Sequence, residues 1–275
     1  MNRPLGISTS MLGKQFEPSL LEEVAGHGIT HLELFAAPGI SYFDDDGAVA
    51  ALREEAARLG LTVWSVHAPF GPQADLSNPD ELARRAALQA VIRALDVARE
   101  LGARLLVIHA GLSLGDEDEI ATRRRQSIRS INELCKLSSQ RGLGLAVEYL
   151  ATNGRGLGIT SGDLLDLLRV VDGTPGVCLD TNHANLGEPV GEAVRALGSR
   201  ITTVHISDND GVRERHLMPG EGGIHWPEFM RLLDEIGYGG PLMYEATVSG
   251  ETVAERLDLT VQTAREILGW EPPDA

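Results

Sequence analysis

The sequence has few cysteines: Cys135 and Cys178 are the only two among its 275 residues. They are far apart and lack the paired spacing that a disulfide framework or a zinc ribbon requires. Chains without disulfides are typical of reducing compartments. We therefore predict a cytoplasmic protein.

Long apolar runs are also missing from the chain. No run approaches the roughly 20 apolar residues that a membrane-spanning helix needs. The first residues, "MNRPLGISTSML", do not combine a basic stretch with the apolar segment of a signal peptide. We therefore expect neither an export signal nor a membrane partner.

Basic residues are scarce relative to acidic ones. The chain has 24 Lys and Arg against 40 Asp and Glu, and its formal net charge is −16. A protein that binds a nucleic-acid backbone places Lys and Arg against several phosphates, whereas an excess of acid repels a polyanion. The densest basic run, residues 123–125, lies in a predicted helix and suits its solvated outer face. We expect no nucleic-acid partner.

The chain alternates short apolar runs with segments of helical periodicity, and no Pro/Gly/Ser-rich linker divides it. The predicted strands are 5–11, 30–36, 62–68, 104–110, 143–149, 176–182, 201–207 and 241–247. Strands that are apolar on both faces and followed by helices indicate a parallel sheet. Eight such units in about 250 residues are typical of a (β/α)₈ TIM barrel. A doubly wound sheet would need fewer strands and a glycine-rich turn after the first, which "GISTSML" lacks. We predict one α/β TIM barrel domain spanning residues 1–275.

Six consecutive predicted strands carry a His, Asp or Glu at the carboxyl end. These residues are His67, His109, Glu148, Asp180, His205 and Glu245. Taken singly, each has a structural explanation, such as a hydrogen-bonded buried imidazole, an ion pair or a helix cap. All strand ends of a barrel meet on one face, however, where active sites are built. Three carboxylates crowded there would repel one another without a cation, so the set predicts a divalent metal.

Imidazole and carboxylate ligands together suit Zn²⁺ or Mn²⁺, with Fe²⁺, Co²⁺ and Mg²⁺ as alternatives, better than Ca²⁺. We predict that one ion is held by Glu148, Asp180, His205 and Glu245. His67 and His109 lie on the adjoining strands. They either hold a second ion bridged by Glu148 or line the substrate pocket.

A loop follows the seventh strand, "RERHLMPGEGGIHW", and supplies Glu214 and His216 just before a Pro-Gly turn. It could be a surface loop with incidental charge. Its position beside the other donors favours a functional role for both residues. Trp64 is a candidate apolar wall for a sugar, and Arg155 in "ATNGRGLG" is a candidate contact for an anionic group.

Seven segments resemble the xylose isomerase-like TIM barrels in order and position. They are "SVHAPF", "VIHAG", "VEYL", "CLDTNHA", "VHISDNDG", "RERHLMPGEGGIHW" and "MYEAT". This superfamily includes bacterial sugar phosphate isomerases/epimerases, tagatose 3-epimerase relatives and endonuclease IV. The resemblance spans nearly the whole chain, and it is less specific for the substrate than for the superfamily.

The epimerase pattern implies the same four ligands for a single metal. It also implies that Glu148 and Glu245 form the acid/base pair and that His183 contacts a substrate oxygen. The chain departs from the epimerases at His216, where they have an arginine.

The endonuclease pattern instead implies three zinc ions held by nine residues. They would be His67, His109, Glu148, Asp180, His183, His205, Glu214, His216 and Glu245. Glu214 stands where that family has an aspartate. The ligand set alone does not separate the two patterns, but the acidic composition favours chemistry on a small molecule.

These observations predict a metal-dependent isomerase or epimerase of a sugar or sugar derivative. The metal would polarise a ketose carbonyl, and one glutamate would remove the neighbouring proton to give a metal-stabilised enediolate. The other glutamate would return a proton. The alternative is a multi-zinc phosphoesterase or endonuclease IV-like hydrolase, and a non-catalytic sugar-binding barrel is a third class. We expect a carbohydrate substrate as partner, and the sequence leaves a homo-oligomer open.

Overall fold

Eight parallel strands are hydrogen-bonded in chain order and close into a barrel, because the first strand also pairs with the last. This computed structural model describes residues 3–13, 17, 19–112, 117–151 and 157–272. The strands are β1 (Leu5–Ser8), β2 (His31–Phe35), β3 (Thr62–His67), β4 (Leu105–Ile108), β5 (Gly144–Glu148), β6 (Gly176–Asp180), β7 (Ile201–Ile206) and β8 (Leu242–Tyr244). The predicted TIM barrel is confirmed. The observed strands end one to three residues before the predicted ones, where the chain turns into the loops of the mouth.

Helices surround the barrel. In the described residues they are α1 (Leu20–Gly26), α2 (Ser41–Asp44), α3 (Asp46–Arg58), α4 (Glu81–Glu100), α5 (Glu117–Gln140), α6 (Ser161–Leu168), α7 (Thr181–Gly187), α8 (Val190–Leu197), α9 (Trp226–Glu235) and α10 (Val253–Glu266). The α4 helix shows why they form: the Asp80 carboxylate caps it by accepting the Ala83 N–H at 2.8 Å. Its buried Leu88, Val91 and Leu95 recur at the spacing of one helical face. None of these helices is both long and apolar enough to cross a bilayer.

The alternation of side chains along β6 explains how the barrel positions its polar residues. Val177 and Leu179 point outward into the large core between barrel and helices. Cys178 points inward and packs in a small interior cluster with side chains of β4 and β5. Because successive side chains of a strand alternate between faces, Asp180 shares the inward face of Cys178. The interior is therefore apolar in its middle and carboxylate-lined at its mouth.

Trp64 lies near the amino-terminal end of the barrel, away from the mouth. Its Nε1 donates a hydrogen bond to Thr203 Oγ1 at 3.2 Å. Its ring lines a cavity of about 400 Å³ together with Gly144 and Gly176, the first residues of β5 and β6. The structure therefore does not bring Trp64 to the strand ends where we predicted the substrate.

Candidate active site and metal centre

The nine predicted donor residues lie at the carboxyl end of the barrel in three groups. The donor atoms within each group lie within 4.8 Å of one another. The central group is Glu148, Asp180, His205 and Glu245; the second group is His67, His109 and Glu148; the third group is His183, Glu214 and His216. Glu148 belongs to two groups and joins them. Arg155, the predicted anion contact, lies outside the described residues.

The central group converges on one imidazole nitrogen. His205 Nδ1 lies 2.7 Å from Glu245 Oε2, 3.5 Å from Glu148 Oε1 and 3.8 Å from Asp180 Oδ2. Three of these side chains are almost completely buried, and only Glu245 reaches solvent, with 22% of its side chain exposed. The arrangement is a pocket of three carboxylates around one nitrogen, open on the side of Glu245.

Two buried atoms of this group make no well-aligned hydrogen bond with the described residues: Asp180 Oδ2, and His205 Nδ1 despite its 2.7 Å distance from Glu245 Oε2. Buried polar atoms are nearly always paired, because an unpaired one costs about 1–3 kcal/mol. A divalent cation between them would satisfy both atoms and offset the repulsion of the three carboxylates. The donor set, three carboxylates and one imidazole, therefore fits a transition metal.

The electrostatics of the central group also favour a cation. Burial opposes the ionisation of Glu148, but the neighbouring His109, His183 and His205 rings hold its pKa well below the ordinary value. Burial raises the pKa of Asp180, and the opposing effect of His183 does not cancel it. A further positive charge is needed to hold both carboxylates ionised side by side.

Glu33 fixes the orientation of His205 and was not predicted from the sequence. His205 Nε2 lies 3.0 Å from Glu33 Oε1 and 3.1 Å from Oε2, and Ser65 Oγ donates to the same carboxylate at 2.7 Å. This pairing turns His205 Nδ1 toward the three carboxylates, as is usual for a histidine that binds a metal. The available signal was an acidic residue in the middle of the apolar strand "HLELF", because a fully buried carboxylate needs a partner.

In the second group, two imidazoles face the same oxygen. His67 Nε2 lies 2.9 Å and His109 Nε2 3.0 Å from Glu148 Oε2. His67 Nδ1 is 2.9 Å from the Ala68 carbonyl and must donate to it, so in a neutral ring Nε2 has no proton to offer Glu148. Burial lowers the pKa of His67, but Glu148 outweighs this and raises it to about 9. Either a proton on His67 Nε2 or a metal ion would therefore make the contact between His67 and Glu148 favourable.

In the third group the imidazole rings are oriented in the same way, with Nδ1 toward a backbone carbonyl and Nε2 toward a carboxylate. His183 Nδ1 donates to the Tyr149 carbonyl at 3.0 Å, and His216 Nδ1 lies 3.1 Å from the Glu245 carbonyl. The Nε2 atoms of both rings then face Glu214 Oε1, at 3.5 Å from His183 and 3.4 Å from His216. These distances leave room for a ligand among the three side chains.

An aromatic wall closes one side of the second group. Phe70 stacks on His109 with ring centroids 4.4 Å apart, and Phe35 meets Phe70 edge-on at 5.6 Å. Phe70 is nevertheless 49% exposed. A large exposed aromatic beside a polar pocket suits an apolar contact with a bound molecule.

Asp208 holds the loop that carries Glu214 and His216. Its buried carboxylate accepts hydrogen bonds from the N–H of Gly220 at 3.0 Å, the N–H of Ile224 at 3.2 Å and Trp226 Nε1 at 2.9 Å. These contacts tie both ends of the loop to one side chain. The motif "VHISDNDG" contained this residue, but only the structure shows the role of its carboxylate.

Asn182 adds a second support for that loop. Its side-chain oxygen accepts the backbone N–H groups of Arg215 at 3.3 Å and His216 at 3.2 Å. His216 has a φ of 46°, which is unusual for a residue other than glycine. The contacts to Asn182 hold this strained backbone in place, so the His216 ring stays directed into the site.

We expect Asp208→Ala to lower the free energy of unfolding by about 2–4 kcal/mol, because it leaves several buried donors without a partner. Urea unfolding followed by circular dichroism measures this loss. Asp210→Ala is the matched control, since its carboxylate accepts the N–H groups of Val212 and Arg213 at the surface. Equal losses in the two variants would contradict the supporting role of Asp208.

The fold and the site define the chain as a TIM barrel with metal-type donors at its mouth. The xylose isomerase-like TIM barrel model matches residues 21–267, and the chain belongs to that family.

Two similar proteins have names that describe different activities. A D-psicose 3-epimerase from Ruminiclostridium cellulolyticum is 28% identical over 86% of this chain and 80% of its own. A probable endonuclease 4 from Nitratidesulfovibrio vulgaris strain DP4 is 28% identical over 80% of this chain and 83% of its own.

Solved structures show the same barrel. A D-tagatose 3-epimerase-like protein superimposes with a TM-score of 0.84 at 25% identity, covering 98% of both chains. The IOLI protein, solved with a bound zinc atom, superimposes with a TM-score of 0.83 at 18% identity over 98% of both chains.

Proposed function

We propose that the protein is a metal-dependent epimerase or isomerase of a sugar or sugar derivative. The observation that carries the proposal is the meeting of Glu148 and Glu245 in the central group, although they come from β5 and from the end of β8. Because the two carboxylates approach one point from different strands of the barrel, they can contact a bound substrate on two sides. The 3-epimerase relative supports the same reaction class.

The two glutamates supply the proton transfers. The low pKa of Glu148 keeps its carboxylate ionised, and the His205 ring likewise overcomes burial to lower the pKa of Glu245 to about 2. Either carboxylate oxygen can therefore accept a proton from a C–H group next to the substrate carbonyl. A divalent metal bound by the central group would polarise that carbonyl and acidify the C–H.

The remaining residues of the mouth orient and shield the substrate. His183 and His216 present their Nε2 atoms into the third group, where a protonated ring can donate to a sugar hydroxyl. Phe70 offers its exposed face to the apolar side of a sugar. After the first proton transfer, the opposite glutamate returns a proton to the other face, or to the neighbouring carbon.

Proton exchange tests this proposal even though the substrate is not identified. We expect the metal-loaded protein in D₂O to exchange the C–H next to the carbonyl of at least one ketose, keto-glycoside or inosose. The rate should exceed that of the chelated protein by at least about 10²-fold, the usual size of general acid-base catalysis. Proton NMR measures the exchange. If no compound of these panels exchanges while duplex DNA with an abasic site is cleaved, the proposal fails.

A second candidate, a multi-metal phosphoester hydrolase, is favoured by one observation. The nine donors form three groups, two of which share Glu148, and in the second and third groups imidazole Nε2 atoms face a carboxylate. Several bound cations can stabilise the attacking and leaving oxygens when a phosphoester is hydrolysed. The probable endonuclease 4 relative supports this alternative. The net charge of −16 disfavours a polyanionic substrate.

A further inference from the structure

A cavity of about 440 Å³ extends from the central group toward the segment that follows β1. Its lining includes Glu245 and His216 of the donor groups together with Ser10, Thr247 and Arg256. This volume lies in the range of about 300–1,000 Å³ that small-molecule sites occupy. A substrate whose reacting carbon lies at Glu245 can therefore extend along this cavity.

Arg256 is the arginine of this cavity, and its charge is uncompensated among the described residues. Its Nε donates to the Gly250 carbonyl at 3.1 Å, which anchors the side chain. The neighbouring carboxylate, Glu255, is instead engaged by the backbone N–H groups of Glu251 at 2.8 Å and Thr252 at 3.1 Å. The remaining guanidinium N–H groups of Arg256 form no ion pair with a described carboxylate.

Other described arginines, such as Arg200 and Arg213, also form no ion pair with a described carboxylate, so what distinguishes Arg256 is that it lines the cavity that reaches Glu245. Arg123, by comparison, lies near the mouth and is paired with Asp75 at 2.6 Å and Glu119 at 2.8 Å. A guanidinium presents a planar fork of donors that matches a carboxylate or a phosphate. Its charge also offsets part of the negative potential that the carboxylates of the mouth impose on an approaching anion.

We propose that the substrate carries an anionic group, a phosphate or a carboxylate, at the end remote from the reacting carbon, and that Arg256 binds it. Ser10 and Thr247 line the same cavity, and their hydroxyl groups are further donors for an anionic group bound there. This inference rests on the proposed function, because that function places the reacting carbon at Glu245. It restricts the substrate class to acidic sugars, either phosphorylated or carboxylated.

Unreactive polyols test the contact separately from the chemistry. Sorbitol, sorbitol 6-phosphate and gluconate would be titrated calorimetrically into the metal-loaded protein, as neutral, phosphorylated and carboxylated probes. We expect at least one anionic probe to bind about 10- to 100-fold more tightly than sorbitol, the usual gain from a hydrogen bond to a charged group. The probe that gains affinity identifies the anion.

Three variants assign the gain to a residue. Arg256→Gln should abolish the preference for the anionic probe, and Arg256→Lys should retain part of it because the charge remains. Arg265→Gln is the matched control, since Arg265 is exposed at the far end of the same helix. Its affinity for every probe should be unchanged.

Two results would overturn the inference. One is equal affinity for sorbitol and both anionic probes. The other is a preference for an anion that Arg256→Gln and Arg265→Gln preserve equally, which would locate the anion elsewhere, for example on the metal. Because the probes cannot undergo proton exchange, a protein that exchanges no ketose but shows the Arg256-dependent preference contradicts only the proposed chemistry.

Discussion

Replacing Glu148 or Glu245 with glutamine is expected to lower kcat by about 10²- to 10⁴-fold, the contribution of a positioned acid or base. Glutamine keeps the size of the side chain and one oxygen donor, but it cannot accept the proton at neutral pH. Metal content should therefore fall only in part. Initial rates and metal analysis of the same preparations measure the two effects.

The two glutamine variants should differ in one respect. If one glutamate removes the proton and the other returns it, one variant loses C–H exchange with solvent altogether. The other retains exchange without completing the epimerisation. Glu251→Gln, at an exposed position near the mouth, is the matched control and should keep full activity. Epimerase activity that survives in both site variants would exclude the proposed acid/base pair.

Removing the metal is expected to lower the melting temperature by about 5–10 °C. A ligand that binds only the folded state stabilises it by about 2.7 kcal/mol at a hundredfold excess over its Kd. For a chain of this size, each kcal/mol corresponds to roughly 2–4 °C. Scanning calorimetry before and after chelation, and after readdition of Mn²⁺ or Zn²⁺, measures the change.

Asp180→Asn provides the internal comparison for this experiment. The variant removes one of the three crowded carboxylates, so its chelated form should be at least as stable as the chelated parent protein. Its response to added metal should be much smaller. A parent protein that contains no stoichiometric metal and does not respond to Mn²⁺ or Zn²⁺ would refute the assignment of the central group.

The same preparations distinguish one metal from several. His183→Ala should raise KM and leave the metal content nearly unchanged, because we assign His183 to the substrate. The loss of one equivalent of zinc from this variant, together with three equivalents in the parent protein, would instead support the hydrolase.

The barrel and its mouth were predictable because both depend on local patterns. Residues such as Asp180 and His205 follow apolar runs, and parallel strands place all such ends on one face. Glu33 was missed because its partner, His205, is 172 residues away, and no local pattern records that contact.

Trp64, predicted only as a possible apolar wall for a sugar, lies near the amino-terminal end of the barrel because it is the third residue of β3, whereas His67 is the last. The register of β3 against β2 skips this residue, because Leu32 pairs with Val63 and Glu33 pairs with Ser65. An irregularity of this kind breaks the alternation from which the direction of a side chain is inferred. Arg256 was missed because a lone arginine in a helix reveals nothing about the cavity it lines.

The contact between Glu33 and His205 has a kinetic consequence. It joins β2 to β7 across the seam where β8 meets β1, so we expect it to form late, when both ends of the chain have closed the barrel. An ion held by His205 therefore gains its full set of ligands late in folding. Interactions that are absent from the folding transition state slow unfolding without speeding folding. Metal loading would thus extend the lifetime of the folded chain, while newly synthesised chains would close the barrel at the same rate with or without it.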